Sequence, residues 1–473
     1  MSDGGGPSGN GGNTGGSGAA SNTGGSAAVT SHDGGGQGDG AAPDGATAES
    51  GQPPLSCLTG ATCNPTACST GACFDTDRCA TSMTTYWGAE WHDYGEQVLV
   101  TAENDRVLVG YTNLTHDVGG NSDLFVAKLA PDGRQVWSSR WGTPSVEYMR
   151  RAALDANGNV YVVGDTQGDL DGKQNAGGRD AFVTKFTAAG AREWTTVFGA
   201  AKDDVAYDIA VDAGGNRIVV AGLWAYDSAA PTARAFVARL DVSGAVVQNV
   251  PLDSWGVAQA ETVALGAADR VFVTGAVDAV IPGQASAGKR DAFSARLTPD
   301  LQVEWATQWG SSEFDWTNGS ALDMAGNLYV TGTTSGAIGA NPPPKVGSWT
   351  AYVSRIAVTG KLSWTRVYNG GKDTRAGDIA VAKNGDLLLS GTVLGALVPN
   401  ATPLGADVFW MRLCADGEQK AVQQWGLGDD DWTRSVVEDT AGHALVAGYA
   451  RRSPDLGGGT RVNDAFLIDV APE

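Results

Sequence analysis

The sequence has few basic residues and no long apolar segment. Its 473 residues include 32 Lys and Arg against 53 Asp and Glu, which gives a formal net charge of −21. So acidic a chain lacks the basic surface that nucleic-acid binding requires. No apolar run reaches the ~18 residues that a membrane-spanning helix needs. We therefore expect neither a nucleic-acid partner nor a transmembrane segment.

Signals for catalysis and for metal binding are also sparse. The chain has four His, and His92, His116 and His443 show no spacing typical of a metal site or a catalytic triad. P-loop, GxSxG and HExxH motifs are absent. We identify no catalytic residue and predict no metal site and no cofactor. The abundant residues are instead glycine and tryptophan, with 67 Gly and 15 Trp.

The N-terminal segment has the composition of a tether. Residues 1–54 are rich in Gly, Ser and Asn and contain no Phe, Trp, Tyr, Ile or Leu. Such a segment cannot bury enough apolar surface to offset the entropy of ordering it. We expect residues 1–54 to be disordered and to act as a spacer with an end-to-end distance of roughly 40 Å. A low-complexity tail without a role is the alternative.

Cysteine is concentrated in residues 55–80. Five of the six Cys lie there, at positions Cys57, Cys63, Cys68, Cys73 and Cys79. These spacings differ from the CxxC pairs of a zinc site, so they predict disulfides and an oxidising compartment. The sixth residue is Cys414, and we expect two bridges within the cluster and one to Cys414. A free thiol in place of the third bridge is the alternative.

An exported chain needs a signal peptide, and the N-terminus has neither a basic nor an apolar leader region. We expect the sequence to be a mature form, with Met1 standing where the acylated Cys of a bacterial lipoprotein would be. The expected location is therefore extracellular, or anchored by lipid at the outer membrane or cell surface of a bacterium.

The remainder of the chain consists of one sequence motif that occurs seven times. Three landmarks recur: an aromatic residue before Gly or Asn, a Gly that closes a β-rich run, and an aromatic residue two positions after a usually acidic one. The first landmark occurs at Trp87, Trp141, Phe198, Trp255, Trp309, Tyr368 and Trp425. The second occurs at Gly110, Gly164, Gly222, Gly275, Gly332, Gly391 and Gly448, and the third at Phe125, Phe182, Phe236, Phe293, Tyr352, Phe409 and Phe466.

Each copy contains four strand signals, A to D, separated by turns. Strand A is rich in small residues, strand B ends in the landmark Gly, and strand D carries aromatic residues four positions apart on one face. Four antiparallel strands repeated radially make a β-propeller. The small residues of strand A suit the crowded axis, and the large aromatics of strand D suit the wide gaps between blades.

The ends of the repeat predict how the ring closes. The seventh copy stops after its strand C, whereas residues 82–88 align with a strand D and precede the first strand A. The N-terminal strand should therefore complete the last blade. Closure of this kind removes two exposed sheet edges that would otherwise promote aggregation.

The repeated pattern resembles the SBBP repeat of bacterial β-propeller proteins. It runs from the aromatic-Gly pair through DxxGNxYVxG and DAFVxK to EW, covers residues 82–473 and is most specific in copies 2 and 5. Copy 3 departs from it at Arg234 and at Val246-Val247, and copy 4 has a shortened D–A loop. The resemblance implies a surface or secreted protein and brings no shared catalytic residues.

An acidic residue recurs on the D–A loops, which a propeller gathers at one mouth of its channel. The positions six residues after each landmark aromatic are Asp93, Glu147, Asp204, Glu261, Asp315, Thr374 and Asp431. One interpretation is an acidic, aromatic-lined mouth that binds a cation or a sugar. The alternative, which we favour because it serves every repeat, is a carboxylate that braces its own loop through backbone N–H groups. The candidate ligand-binding residues are Asp93, Tyr94, Glu147, Tyr148, Asp204, Asp315, Trp316, Asp431 and Trp432.

One loop has a partial calcium pattern. Asp169, Asp171 and Gly172 are followed by Asp180, but Lys173 stands where a calcium loop places an oxygen ligand. Calcium is kept here as a minor alternative to the absence of any cofactor.

The sequence thus predicts an all-β chain whose residues 81–473 form a monomeric seven-bladed β-propeller of four-stranded blades. We expect an extracellular or cell-surface binding or scaffold module for a protein or carbohydrate ligand. Two alternatives stay open: an enzyme that acts on glycans or a small ligand at the channel mouth, and a structural envelope protein.

Overall fold

The computed structural model describes residues 82–87, 92–113, 121–227, 232–339, 348–399, 401, 405–427, 430–452 and 462–472. Within these ranges the chain forms 28 β-strands and three single-turn 3-10 helices, Leu170–Gly172, Asp253–Trp255 and Ala267–Asp269. The predictions for the tether (1–54) and for the Cys-rich segment (55–80) lie outside the described residues.

The strands of the first half are β1 (Ser82–Trp87), β2 (Asp93–Val100), β3 (Arg106–Asn113), β4 (Ser122–Leu129), β5 (Gln135–Trp141), β6 (Glu147–Leu154), β7 (Val160–Thr166), β8 (Asp180–Phe186), β9 (Arg192–Phe198), β10 (Asp203–Val211), β11 (Ile218–Tyr226), β12 (Arg234–Leu240), β13 (Val246–Pro251) and β14 (Ala258–Leu265). Those of the second half are β15 (Val271–Val277), β16 (Asp291–Leu297), β17 (Val303–Trp309), β18 (Asp315–Leu322), β19 (Leu328–Thr334), β20 (Thr350–Ile356), β21 (Leu362–Tyr368), β22 (Thr374–Val381), β23 (Leu387–Val393), β24 (Asp407–Leu413), β25 (Gln419–Trp425), β26 (Asp431–Glu438), β27 (Ala444–Arg452) and β28 (Val462–Val470).

The strands form seven antiparallel four-stranded sheets, as the repeat predicts. Blades 1 to 6 are consecutive sets of four, from β2-β3-β4-β5 to β22-β23-β24-β25. Blade 7 has the order β26-β27-β28-β1. Strand β1 pairs with β28 from Ser82 opposite Val470 to Trp87 opposite Ala465. The predicted closure of the last blade by the N-terminal strand is therefore confirmed.

The hydrophobic core lies between the blades. Seven clusters of buried side chains each combine residues of two neighbouring blades, so that every interface, including that between blades 7 and 1, has its own cluster. Aromatic residues of the outer strands contribute to these interfaces. Trp141 of blade 1, for example, packs edge-on against Phe186 of blade 2 with ring centroids 4.9 Å apart. Each blade is consequently stabilised by its two neighbours.

The second and third landmarks are cross-strand partners. In blade 1, Gly110 of β3 lies opposite Phe125 of β4, and the equivalent residues pair in all seven blades. A Cβ on Gly110 would lie 1.9 Å from the carbonyl oxygen of Tyr94 and 2.6 Å from the Phe125 ring. Only glycine fits here, because the first strand and the aromatic ring approach this backbone from two sides.

The first strand of every blade contacts the first strands of both neighbours, so these seven strands surround the axis. Each carries a β-bulge between its third and fifth residue after the loop, as between Gly95 and Gln97 of β2. A bulge leaves one residue unpaired and turns its side chain away from the regular alternation. The seven bulged residues are Glu96, Arg150, Tyr207, Glu261, Asn318, Gly377 and Arg434.

Candidate functional site

The acidic residues predicted at the mouth are buried where the first strand of their blade begins. In four blades the carboxylate accepts a hydrogen bond from the backbone N–H four residues earlier. These contacts join Glu147 to Thr143 (2.8 Å), Asp204 to Ala200 (2.6 Å), Asp315 to Ser311 (2.6 Å) and Asp431 to Leu427 (2.6 Å). In blade 6 the hydroxyl of Thr374 accepts the same bond from Gly370 at 2.9 Å. Asp93 is likewise buried. This is the geometry of a side chain that braces its own loop.

Burial changes the acidity of these braces. It raises the pKa of Glu147 and of Asp315, and it raises the pKa of Asp204 to about 6, although hydrogen bonds to each carboxylate oppose the shift. Desolvation disfavours the charged form, whereas backbone N–H donors favour it. Asp204 therefore begins to take up a proton at mildly acidic pH.

Glu261 does not belong to this series of loop-bracing residues, although counting along the sequence places it there. The D–A loop of blade 4 is shortened, so that Ala258 is the blade-4 counterpart of Asp93 in the strand register. Glu261 is instead the bulged residue of β14. Its Oε1 accepts a hydrogen bond from Gln259 (2.5 Å), and its Oε2 accepts one from the hydroxyl of Thr317 in blade 5. Burial raises the pKa of Glu261 to about 7.

The bulged residues meet across the blade boundaries at the axis. Arg434 of blade 7 forms an ion pair with Glu96 of blade 1, with 3.7 Å between Nε and Oε2. The Arg150 guanidinium pairs with Asp165 at 2.9 Å and lies 5.7 Å from the ring centre of Tyr207 in blade 3. One layer deeper, Arg151 of blade 2 spans the channel. Its Nη1 and Nη2 donate to the backbone carbonyls of Arg434 in blade 7 (2.7 Å) and Asn318 in blade 5 (3.3 Å).

A cavity of about 270 Å³ is lined by residues of blades 4 to 7, most of them from blades 5 and 6. Its walls include Glu261, Trp316, Asn318, Trp349, Arg375, Gly377, Trp432, Thr433 and Arg434. The space exists because blades 5 and 6 carry the small residues Asn318 and Gly377 at the bulge, where the other blades carry larger side chains. A Cβ on Gly377 would lie 2.7 Å from the carbonyl oxygen of Thr433. Glycine is therefore required by close backbone approach at this wall.

Aromatic rings and guanidinium groups alternate around this cavity. The Arg375 guanidinium lies 5.8 Å from the ring centres of both Trp349 and Trp432. Arg290 lies 4.0 Å from the ring centre of Trp316, and its Nη2 donates to Asp278 at 2.8 Å. Such contacts hold the arginines and the indoles in fixed positions. The wall is thus preorganised before any ligand arrives.

Three buried polar atoms at the cavity have no hydrogen-bond partner within the described part of the chain. They are Oδ1 of Asn318, Oγ1 of Thr433 and Nε of Arg434. A buried polar atom without a partner is unfavourable by about 1–3 kcal/mol, so native proteins pair nearly all of them. The residues that carry these atoms line the cavity, although the atoms themselves are fully buried.

The four aromatic candidates from the sequence separate into two groups. Trp316 and Trp432 line the cavity. Tyr94 and Tyr148 belong to a tyrosine cluster on blades 7, 1 and 2, in which Tyr94 stacks on Tyr111 at 4.7 Å and Tyr148 meets Tyr111 edge-on at 5.2 Å. Because these rings pack against one another, they fill their side of the mouth. Trp349, Arg375, Asn318 and Gly377, which complete the cavity, were not among the candidates.

The aspartates of the partial calcium pattern each engage protein groups. Asp169 accepts from the backbone of Asn175 (2.9 Å), Asp171 pairs with Arg192 (2.9 Å), and Asp180 accepts from the backbone of Ala176 (2.5 Å). Among the described residues no group of three or more His, Cys, Asp or Glu is arranged to hold a metal ion.

The predicted disulfide residues are placed only in part. Cys57, Cys63, Cys68, Cys73 and Cys79 lie outside the described residues. Cys414 is buried in the turn between β24 and β25, where its N–H donates to Glu418 at 2.7 Å. Of the helices in the described ranges, none has the length and apolar character needed to cross a membrane.

Comparisons with known proteins give few relatives in sequence. No protein-family model matches the chain. The regulatory protein FlaEY of Caulobacter vibrioides is 25% identical over 304 residues, which cover 56% of this chain and 31% of that protein. The match therefore spans about a third of the length of that curated relative.

Among solved structures, the chain is similar to the Pan2 WD40 domain of Neurospora crassa, with a TM-score of 0.46 and 10% identity over 81% of this chain and 98% of that domain. It is also similar to the β-propeller domain of the trilobed protease from Pyrococcus furiosus, with a TM-score of 0.43 and 9% identity over 81% of this chain and 94% of that domain. The seven-bladed propeller itself follows from the strand pairing of this chain.

Proposed function

We propose that this protein is an extracellular or cell-surface binding module of the SBBP repeat type, which binds a carbohydrate in the cavity lined by blades 4 to 7. The proposal rests above all on the wall of that cavity, where the indole rings of Trp316 and Trp432 lie beside polar and charged side chains. A sugar offers hydroxyl groups that donate and accept at once, so it suits a wall with both kinds of polar group. It also offers apolar C–H faces for the indole rings of Trp316 and Trp432.

The size and composition of the cavity suit a small ligand or the end of a chain. Its volume of about 270 Å³ is near the lower limit of ~300–1,000 Å³ that is common for small-molecule sites. Aromatic walls with a few fixed polar groups are typical of such sites. Of the nine candidates from the sequence, we assign ligand contact to Trp316 and Trp432, a structural role to the carboxylates, and a filling role to Tyr94 and Tyr148.

The surface location is supported by sequence composition. The Cys-rich segment favours an oxidising compartment, and the Gly-rich segment before it suits a spacer from a lipid anchor or other attachment. The word "regulatory" in the name of the Caulobacter protein is compatible with a binding module that has no catalytic role of its own. We propose that the protein acts as a monomer.

The first test is a glycan array probed with the full chain, beside a hydrolase assay on the same glycans. We expect binding without turnover, and we expect Trp432→Ala to weaken binding at least tenfold. Trp364→Ala is the matched control, because Trp364 lies on the outer strand β21 and is also partly buried. Equal losses in both variants would contradict a site at the mouth.

A second test uses the hydroxyl of Thr433. Thr433→Val keeps the shape of the side chain and removes an orphan polar atom, so the free energy of unfolding should stay equal or rise. Thr262→Val is the control, because the Thr262 hydroxyl bonds to Thr274 (2.7 Å) and its replacement should destabilise the protein. A Thr433→Val protein that loses stability as Thr262→Val does would remove the argument from orphan atoms.

One observation favours the enzyme alternative. Glu261 lies in the cavity wall, and its pKa near 7 is suited to general acid or base catalysis at neutral pH. Glycan turnover by the wild type that disappears in Glu261→Gln, with binding retained, would establish this alternative over the binding module.

A further inference from the structure

Positive groups outnumber negative ones on the cavity wall. Arg375 and Arg434 contribute two guanidinium groups, and Glu261 contributes the one carboxyl group among the residues that line the cavity. This balance is the reverse of the whole chain, whose net charge is −21. Asp373 and Glu96 each pair with one of these guanidinium groups, so the cavity offers an anion two guanidinium donors rather than a net positive charge.

Arg375 is held in an orientation that exposes part of its guanidinium. The group lies between Trp349 and Trp432, and its Nη2 donates to Asp373 Oδ2 at 3.2 Å. The other oxygen of Asp373 accepts from the backbone N–H of Trp349 at 3.0 Å, so one carboxylate positions both the indole and the arginine. The Arg375 side chain is nevertheless 43% exposed. A fixed, accessible fork of N–H donors is well suited to bidentate recognition of a carboxylate.

Arg434 presents the second guanidinium from the neighbouring blade. It lies over the Tyr449 ring at 5.8 Å, and its Nε is 3.7 Å from Glu96, which is too long for a hydrogen bond. That Nε is one of the three orphan atoms. The Arg434 side chain is nevertheless 42% exposed, so its guanidinium is accessible to a ligand beyond the buried Nε.

Glu261 is the carboxyl group on the cavity wall that would oppose an anion, in addition to Asp373 and Glu96, which pair with the two arginines. Gln259 and Thr317 donate to its carboxyl group, Arg290 favours its charged form, and Tyr207 and Tyr352 lie close enough to interact with its charge. Burial outweighs these donors and raises its pKa to about 7. Below pH 7 the protonated group adds no negative charge to the cavity and supplies a further donor.

We propose that the ligand of this cavity is an acidic sugar residue, whose carboxylate binds Arg375 and Arg434 while its ring lies against the indoles. This inference rests on the proposed function and specifies its ligand class. A free sugar acid and the terminal unit of an acidic polysaccharide present the same chemistry to the cavity, and their affinities distinguish the two sources.

The experiment is calorimetric titration of the full chain with glucuronic acid, an oligogalacturonate, and the neutral counterparts glucose and an oligogalactan. We expect at least one acidic ligand to bind 10- to 100-fold more tightly than its neutral counterpart, as one or two charge-assisted contacts would give. Tighter binding of the oligomer indicates a polysaccharide, and equal binding of the free acid indicates a small metabolite. Arg375→Gln should remove the preference, and Arg375→Lys should retain part of it.

Arg355→Gln is the matched control, since this arginine lies on β20 and donates to Ser363 at 3.2 Å, away from the cavity. A preference lost equally in the control would overturn the inference. Affinity for the acidic ligand should also fall between pH 6 and pH 8, and Glu261→Gln should abolish that fall. Neutral glycans that bind as well as acidic ones would overturn the acidic-ligand inference alone. Failure of both classes to bind would overturn the proposed function as well.

Discussion

Arg151 provides a test of how the ring is held at its axis. Its Nη1 donates to the carbonyl of Arg434 at 2.7 Å and to that of Glu96 at 3.4 Å, and its Nη2 donates to the carbonyl of Asn318 at 3.3 Å. Arg151→Met keeps the aliphatic stem and removes these donors. One short charge-assisted bond is worth about 2 kcal/mol and each long one about 0.5 kcal/mol. We therefore expect the free energy of unfolding to fall by about 3 kcal/mol.

The loss should depend on pH. Burial raises the pKa of Asp208 to about 7 and the pKa of Asp378 above its ordinary value, and the charge of Arg151 opposes both shifts. A carboxyl group with a raised pKa in the folded state makes folding less favourable as pH rises from its unfolded pKa, near 4, towards its folded pKa. Removing Arg151 raises the folded pKa values further. The deficit of the variant should therefore be larger at pH 8 than at pH 5.

Urea unfolding followed by tryptophan fluorescence at both pH values measures the effect. The control is Arg140→Met, because Arg140 forms an exposed pair with Asp123 (3.3 Å) that should contribute at most about 1 kcal/mol. In the double variant Arg151→Met, Asp208→Asn, the loss in free energy of unfolding should differ less between pH 5 and pH 8 than in Arg151→Met alone. A loss no larger than that of the control, or one equal at both pH values, would refute the reasoning.

Three further outcomes are expected. Deletion of residues 80–88 removes β1 and exposes β28 as a sheet edge, so the shortened chain should melt lower or aggregate; a melting temperature equal to that of the parent would contradict the role of closure. Gly377→Val should lower both stability and ligand binding, because its Cβ would lie 2.7 Å from the Thr433 carbonyl, and unchanged binding would place the ligand elsewhere. Thiol alkylation followed by intact-mass measurement should label all six Cys after reduction and at most two before it, none if the bridge to Cys414 forms, whereas six labels without reductant would exclude the disulfides.

The ring could be predicted from the sequence because its landmarks are dictated by backbone geometry. Gly110 and Phe125 recur as a pair because one faces the other across β3 and β4, under the carbonyl of Tyr94. Any larger residue at Gly110 would push the first strand away from the sheet. A requirement of this kind acts on every blade, so it appears in the sequence as a period.

The register at the axis could not be predicted in the same way. Counting from the landmark aromatic put Glu261 with Asp93 and Glu147, although the shortened loop of blade 4 moves it to the bulge. A bulge extrudes a residue through local backbone geometry, and its side chain then faces the channel. The repeat has no preferred residue type at this position, which is occupied by Glu96, Gly377 or Arg434 in different blades.

The cavity is likewise formed by residues near the axis whose type the repeat does not specify. Trp316 and Trp432 could be found because an aromatic residue after a recurrent acid is visible in the sequence. Arg375 takes that place in blade 6 and was passed over, since it breaks the aromatic pattern. Trp349 lies before β20 in a loop that varies between copies. The signal in the sequence was the departure of copy 6 from the repeat pattern. Arg375 and Gly377 replace the large or aromatic residues that other copies carry at two successive inward positions.

Within each blade, the repeated positions therefore serve the fold, and the non-repeated positions at the axis are available for binding. The landmark pairs and the loop braces are repeated, because each blade needs them to fold against its neighbours. The inward positions are free of that requirement, since a side chain in the channel stabilises the ring whether it is Tyr207, Arg150 or Glu96. Where such a position becomes small, as at Asn318, the channel gains a cavity without any loss of the blade itself, whereas at Gly377 the close approach of the Thr433 carbonyl also requires a small residue. Binding sites in this ring should accordingly arise by reduction at the bulge, which explains why residues outside the repeat pattern, such as Arg375 and Gly377, line this cavity.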